Sequence, residues 1–553
     1  MPEPVRITFL GGLGEIGRNC ACIEQDGRIV VLDVGIMFPE PDMPGIDLVL
    51  PDFSYLRDHA EQVEAVILTH GHEDHTGGLA YLLRELSVPV YGSALSLGLA
   101  RSRVEEAGLV DRATFVTVTD GERRAIGPFE VEFIPVTHSV PHGFATAFFT
   151  AQGVVLHSGD FKLDLTPVDG RLTDLARIGA IAKEHGVRLL LADSTNAEEP
   201  GFTDSESQVG QTLRRVFQAH RGQRLIVTCF ASHIHRVQQV MDAAVAEGRK
   251  VATLGRSMAK NVALARSLGL LHIAEADLVD VEQVDDLDDG QVCVVSTGSQ
   301  GEPLSALALM AAGENKRLQL RPGDVVVISA HPIPGNEWAV SRVIDGLHRT
   351  GAEVVHTGNE PVHVSGHARQ GELKILHSIA RPDWFVPVHG EYRHLVNHGR
   401  LATAGGLAEE RVLVCEDGDS VVLDAGGLRR GPDVPAGFLY GDGTVGDVGH
   451  GVLRDRRALA EEGVVVVLAT VDPHAREMVT EPEIITRGWV HASEAESLLE
   501  EASAAVRAAL EEALADGASD QDVLRRHARR ALGRFVSERT RRRPMIVPLV
   551  VTV

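Results

Sequence analysis

In AVILTHGHEDHTGG, residues 65–78, an apolar run that reads as a buried strand ends in His70-Gly-His72-Glu-Asp74-His75, and helical periodicity follows. Ligand-type side chains crowded just past a strand end can converge on one point, and imidazole with carboxylate suits Zn²⁺ or Mn²⁺. The spacing divides naturally: His70 and His72 face one ion, Asp74 and His75 its neighbour. A lone His-x-His is most often a surface accident, whereas His-x-His-x-Asp-His after an apolar strand is far more specific. Two ions about 3.5–4 Å apart activate water and stabilise the attacking and leaving oxygens of a phosphoryl displacement.

Other residue patterns carry less. Gly12-Leu-Gly14-Glu-Ile-Gly17 matches GxGxxG after a strand, but a dinucleotide fingerprint needs a helix next, and here Asn-Cys-Ala-Cys-Ile leads into another strand. No nucleotide cofactor is expected, and the glycines are expected to turn the chain beside the active-site floor. Cys20, Cys22, Cys229, Cys293 and Cys415 form no CxxC, so a reducing compartment without disulfides fits. Arg539-Thr-Arg541-Arg542-Arg543 reads as readily as a solvated helix end as it does as an RNA contact.

The elements that must position these residues follow from pattern. Over residues 1–205, short β-branched runs such as VRITFL, RIVVLDVG, FEVEFIPVTH and RLLLADST alternate with tight turns and two helical stretches, which predicts a layered α/β sandwich. Over 206–360 the rhythm becomes strand, polar loop, helix, as in RLIVTCFAS followed by HIHRVQQVMDAAVAEG; this predicts a separate parallel α/β domain. Short strands return over 361–440, as if completing the first domain. The glycine-rich stretch 441–460 reads as a linker, and 461–553 as a small α+β unit whose long helix opens with a Ser493/Glu496 capping box. Against 78 Asp+Glu stand 53 Lys+Arg, a net charge of −25, which excludes a uniformly basic nucleic-acid binder. Any polyanion must meet a local positive field from metals, Arg or backbone N–H groups. With no long apolar segment and no basic leader, no membrane association is expected and a cytoplasmic location is.

The histidine-rich motif after RIVVLDVG resembles the signature of the metallo-β-lactamase superfamily, which implies an αββα sandwich and further ligands from later strand ends. Asp33 would brace the site, His138 ends FEVEFIPVTH, Asp160 ends GVVLHSGD in the place of a bridging carboxylate, and His389 lies in WFVPVHGEYR. The resemblance implies His70, His72 and His138 on one ion, Asp74, His75 and His389 on the other, and Asp160 between them. Two Zn²⁺ or Mn²⁺ ions per subunit would result. His142 rivals His138 but is expected on the rim, and His157, on the opposite strand face, is expected to be structural.

Fold alone does not choose a substrate. The inserted 206–360 domain resembles the β-CASP insertion of nucleic-acid-processing members. Leu-Ala-Asp193-Ser-Thr is similar to their motif A, His363-Val-Ser365-Gly366-His367 to motif B, and His389 to motif C. This implies a catalytic group of His367, Asp193 and Asp74, with His367 as general acid at a leaving 3′-oxygen and Asp193 orienting it. The blocks GGLGEIGRN, HSGDFKLD, DSTNAE, STGSQGEP, HVSGHA and PVHGEYR, with the C-terminal unit, resemble the ribonuclease J family along essentially the whole chain. That likeness implies 5′→3′ exonuclease action on single-stranded RNA with some endonuclease cleavage, a preference for 5′-monophosphate ends, and a place in RNA maturation and mRNA decay. It also implies a homodimer or homotetramer, and a structural Ca²⁺-like ion at Asp47 and Asp442.

A physical reading points the same way. Ala231-Ser232-His233, Gly255-Arg256-Ser257 and Thr297-Gly298-Ser299-Gln300 end strands of the insert, and carboxyl-end loops of open α/β sheets are where phosphorylated ligands settle. With His363 and the backbone of Val364, Ser365, Gly366 and His367, they are expected to hold a terminal 5′-phosphate. A small-molecule hydrolase of this fold has no need of the inserted domain. A DNA-specific β-CASP nuclease is the nearest rival, since no 2′-OH sensor is legible.

Overall fold

The computed structural model describes residues 3–40, 42–442, 445–490 and 495–553. The chain forms two units, Met1–Met37 with Leu50–Phe438 and Phe38–Val49 with Leu439–Val553.

In the first unit, Val63–Ile67 lies between Arg28–Leu32 and Val88–Gly92 in parallel pairing, within an eight-stranded sheet. A strand so enclosed is apolar on both faces, which is why AVIL shows no alternation. A second, six-stranded sheet has Val187–Asp193 parallel to both Gly153–His157 and Trp384–Val388. Ile7, Val30 and Ile67 of the first sheet share one core with Phe133, Val155, Leu189 and Val386 of the second. Helices Leu175–Glu184 and Gln370–Ala380 add Ile178, Ile181, Leu373 and Leu376 to the outer side of the second sheet. The αββα sandwich is thereby formed, and Asp193 and His389 sit at the carboxyl ends of adjacent strands.

The insert is a five-stranded sheet, parallel throughout, in the order Lys250–Leu254, Val292–Ser296, Leu225–Thr228, Val325–Ile328, Glu353–Val355. Helices Glu206–Ala219, Ile234–Ala246 and Arg256–Ser267 bury Val209, Leu213, Val237, Met241, Met258 and Val262 in its core.

In the second unit, Val464–Asp472 runs parallel to Met545–Thr552 and antiparallel to Glu483–Arg487. Val465, Val467, Ala469 and Val471 face the helices Ala495–Ala515 and Gln521–Thr540. The stretch expected as a linker is not one: Phe438–Asp442 is a strand and Gly449–Glu462 a helix. Glycine content concealed the anchors, a buried Leu453, Arg456 paired with Asp442 and donating 2.7 Å to Gly45 O, and Arg457 paired with Asp42. Ser493 of the expected capping box lies outside the described residues. In the arginine run, Arg541 ends its helix in the left-handed conformation, Arg539 pairs with Glu501 and Arg542 with Glu462. All five cysteines are buried and unpaired as disulfides. Among the described residues no helix is long and apolar enough to cross a membrane.

Candidate active site

The turn after Val63–Ile67 presents His70 and His72, and the short helix Glu73–Thr76 presents Asp74 and His75. His70 Nε2 and His138 Nε2 lie 3.0 and 3.1 Å from His72 Nδ1, and Asp160 Oδ2 is 3.6 Å from His70 Nε2. Asp74, His75 and His389 gather on the other side of Asp160: Asp160 Oδ2 is 3.2 Å from His75 Nε2 and 3.5 Å from His389 Nε2, and Asp74 Oδ2 is 3.4 Å from His389 Nε2. His70, His72, His138 and Asp160 thus form one cluster able to hold a metal, and Asp74, His75, Asp160 and His389 a second. His142 joins neither; its backbone is left-handed, at φ 61°.

The donor set fits divalent ions. The rings' outer nitrogens are committed elsewhere: His75 Nδ1 donates to Asp33 Oδ2 at 2.8 Å, His138 Nδ1 to Gly366 O at 2.8 Å, and His389 Nδ1 meets Thr195 Oγ1 at 2.6 Å. Thr69 Oγ1 donates to Asp33 at 2.8 Å and lies 3.1 Å from His70 Nδ1, while Ser139 Oγ is 3.3 Å from His72 Nε2. Each imidazole so fixed turns a bare nitrogen inward, the usual second-layer arrangement of a metal site. Burial lowers His70 and His138, and it brings His72 down to about 4. For His75 and His389 burial works downward, but Asp160 with Asp74, Asp33 and Asp193 outweighs it and raises both. Metal binding requires these nitrogens free of protons, so it would compete with protons at His75 and His389.

Beside the clusters, His367 Nδ1 lies 2.8 Å from Asp193 Oδ2. Burial lowers the imidazole, yet the Asp193 charge and hydrogen bond prevail and raise it above its ordinary value. Asp193 Oδ1 accepts from Thr195 N at 2.9 Å and Thr195 Oγ1 at 2.8 Å. The parallel register that sets Asp193 opposite Val388 brings His389 to the same place. Thr195, Thr69, Ser139 and Asn19, whose amide lies 3.1 Å from His75 Nε2, escaped the sequence reading. DST and GRN were the only traces of the first and last.

The substrate-type residues are placed less uniformly. Ser365 Oγ accepts from Asn196 Nδ2 at 2.9 Å and from His367 N at 3.2 Å, so the His367 amide is engaged within its own segment. His363 Nδ1 is buried without a hydrogen-bond partner, and its ring stacks on His331 at 6.5 Å. His233 caps helix Ile234–Ala246, which gives it a local structural task; Ala231 and Val364 pack against the insert's core. A side chain at Gly255, φ 108°, would strike Thr297, so those two loops interlock. Gly12, at φ 92°, admits no Cβ beside Asn19 Oδ1, and it lines a cavity with Asp33, His75, Asp160 and His389. In the second unit, Asp47 N donates to Gly441 O at 2.9 Å, and Asp442 is held by Arg456.

Four family profiles match the chain: the metallo-β-lactamase superfamily over residues 13–204, the ribonuclease J β-CASP domain over 222–347, a Zn-dependent metallo-hydrolase RNA specificity domain over 352–414, and the ribonuclease J C-terminal domain over 451–553. Ribonuclease J of Mycobacterium tuberculosis (strain ATCC 25618 / H37Rv) is 43% identical over 551 residues, 99% of this chain and 97% of that protein. Ribonuclease J of Thermus thermophilus is 42% identical, over 99% of this chain and 95% of its own length. For ribonuclease J2 of Bacillus subtilis 168 the figures are 40%, 100% and 99%. A crystal structure of a protein of unknown function from Enterococcus faecalis V583 matches with a TM-score of 0.53 at 15% identity, over 76% of this chain and 100% of that one, a likeness of fold alone. Identity sustained from end to end, on a chain whose imidazoles and carboxylates close two adjoining ligand clusters, means that this protein belongs to the ribonuclease J family, metal-dependent ribonucleases of the metallo-β-lactamase superfamily.

Proposed function

We propose that this protein degrades single-stranded RNA 5′→3′, with some internal cleavage, and favours 5′-monophosphate ends. The observation that carries the reading is the His367–Asp193 pair, 2.8 Å apart, set beside a carboxylate that both ligand clusters share. Two divalent ions, Zn²⁺ or Mn²⁺, held by His70, His72, His138, Asp74, His75, His389 and the shared Asp160, would supply Lewis acidity toward the scissile phosphate and the attacking water. The chain's own groups do the remainder. Asp33, Thr69, Thr195 and the Gly366 carbonyl hold the ligand rings in orientation, and Asp160 keeps negative charge between the clusters. His367, its Nδ1 committed to Asp193, keeps Nε2 to hand a proton to the leaving 3′-oxygen.

For end recognition, the support is the unpartnered His363 nitrogen next to the Val364–Gly366 backbone, with the interlocked Gly255 and Thr297 loops following strands at the carboxyl end of the insert's sheet. A phosphate meeting buried N–H donors there needs no basic groove. Digestion of 5′-labelled RNA and DNA of one sequence, with monophosphate or triphosphate ends and under each metal, tests the reading. Faster loss of monophosphate RNA is expected; equal rates on both ends would argue for internal entry, and equal rates on DNA for a general nuclease. The family likeness also supports a homodimer or homotetramer working in the cytoplasm on RNA maturation and mRNA decay. A Ca²⁺-like ion at Asp47 and Asp442 would require the Arg456–Asp442 pair to open.

A further inference from the structure

Trp338 is 70% exposed and Leu304 87% exposed, on adjoining segments at the carboxyl end of the insert's parallel sheet. They adjoin because Gly301, at φ 74°, lies so close to Ala339 that a Cβ would come within 2.7 Å of its backbone. The segments are clamped. Gln300, buried at 4%, accepts from Ile333 N at 2.7 Å and donates to His331 O at 2.9 Å. Trp338 is the second residue of helix Glu337–Arg349, and one turn later Arg342 sets its guanidinium over the indole, 4.7 Å from the ring centre. One ring face is thus held while the side chain as a whole stays in water. The other two tryptophans are not available in this way, Trp489 being 8% exposed and Trp384 packed against the sandwich core. The clamped loop also connects to the catalytic side, since its His331 stacks on His363 of the segment leading to His367.

We propose that Trp338, with Arg342 beside it, is a stacking platform for a base of single-stranded RNA, outside the catalytic centre; this rests on the RNA-degrading reading above. The chain's charge favours it. A net charge of −25 leaves little general attraction for a phosphate backbone, which gives weight to contacts with π-faces, which every base offers regardless of sequence. An indole backed by a guanidinium presents a flat face for the base and a cation for a neighbouring phosphate.

The test uses the full-length, metal-loaded protein and a 5′-hydroxyl oligo(A) of about twenty nucleotides with phosphorothioate linkages, which resist cleavage, alongside an abasic strand of equal length. Trp338→Ala should weaken oligo(A) binding by roughly 5- to 100-fold, the usual worth of one stacked base, and leave abasic-strand binding unchanged. Trp338→Phe should recover part of the loss, and oligo(A) should quench the tryptophan fluorescence of the wild type but not of Trp338→Ala. Unchanged oligo(A) affinity in Trp338→Ala overturns the platform while the RNA reading stands. Equal loss on both strands also overturns it, as would an altered sedimentation coefficient with intact RNA binding, which would assign the patch to a second copy. If the wild type binds neither strand, the RNA reading itself falls.

Discussion

At the residue scale, every ring in the cluster is told which nitrogen to present by the bond its other nitrogen makes. Asp33 does this for His75, the Gly366 carbonyl for His138, Thr195 for His389 and Asp193 for His367. The same geometry separates the two roles proposed for adjacent histidines. His389→Ala removes a ligand nitrogen and should come back metal-depleted, whereas His367→Ala should keep both ions and lose roughly 10²–10⁴-fold in single-turnover rate. Asp193→Asn should follow His367→Ala more weakly. A metal-depleted His367→Ala would instead favour the cluster of Asp160, Asp193, His367 and His389 as a further ion site. His70 to His75 were legible because they are contiguous; Thr195, Ser139 and Asn19 were not, since hydroxyl and amide partners have no spacing of their own.

At the scale of elements, the parallel strands explain both what could be read and what could not. Apolar runs ending in Asp or His announce strands whose carboxyl ends meet, and Asp193 opposite Val388 shows the register that makes them meet. The Gly449–Glu462 helix was invisible because its neighbours are glycines and its partners, residues 42–45, lie far away in sequence. Another long-range contact gives a measurable signature. Arg18 joins Glu15 at 2.7 Å to Asp417 at 2.8 Å, across the turn that Gly12 makes. Burial, then the Glu15 charge, pushes the Asp417 carboxyl up to about 7 against the pull of Arg18. A folded pKa above the unfolded value of about 3.9 means that the folded chain gains a proton. This stability contribution is complete below about pH 4 and is lost as pH rises through about 7. Compared with Asp417→Asn, the wild type should therefore lose melting temperature progressively from about pH 4 to 8. Parallel curves for the two proteins would refute the assignment.

At the scale of the whole molecule, a ribonuclease of charge −25 must concentrate its attraction for RNA in a few places. For single strands, log K falls with log salt at a slope of about −0.7 per phosphate neutralised. Few phosphates can be neutralised here, so the slope for an uncleavable RNA on the metal-loaded protein should be shallow, no steeper than about −3. A steep slope would reveal a basic track that the composition conceals.

The clusters draw Asp160 and His389 from opposite sides of the inserted domain, and strand Val5–Gly11 waits for Ser420–Asp424. On a ribosome adding about 5–20 residues per second, the last ligand emerges on the order of ten to fifty seconds after Asp160. A chain still short of residue 389 holds only part of its metal site, and its first strand still lacks one neighbour. The order of synthesis thus acts as a safety catch. Until residue 389 of 553 has been made, a chain tethered to its own message lacks a member of the second ligand cluster, and the transcript most exposed to it is spared for that part of the reading.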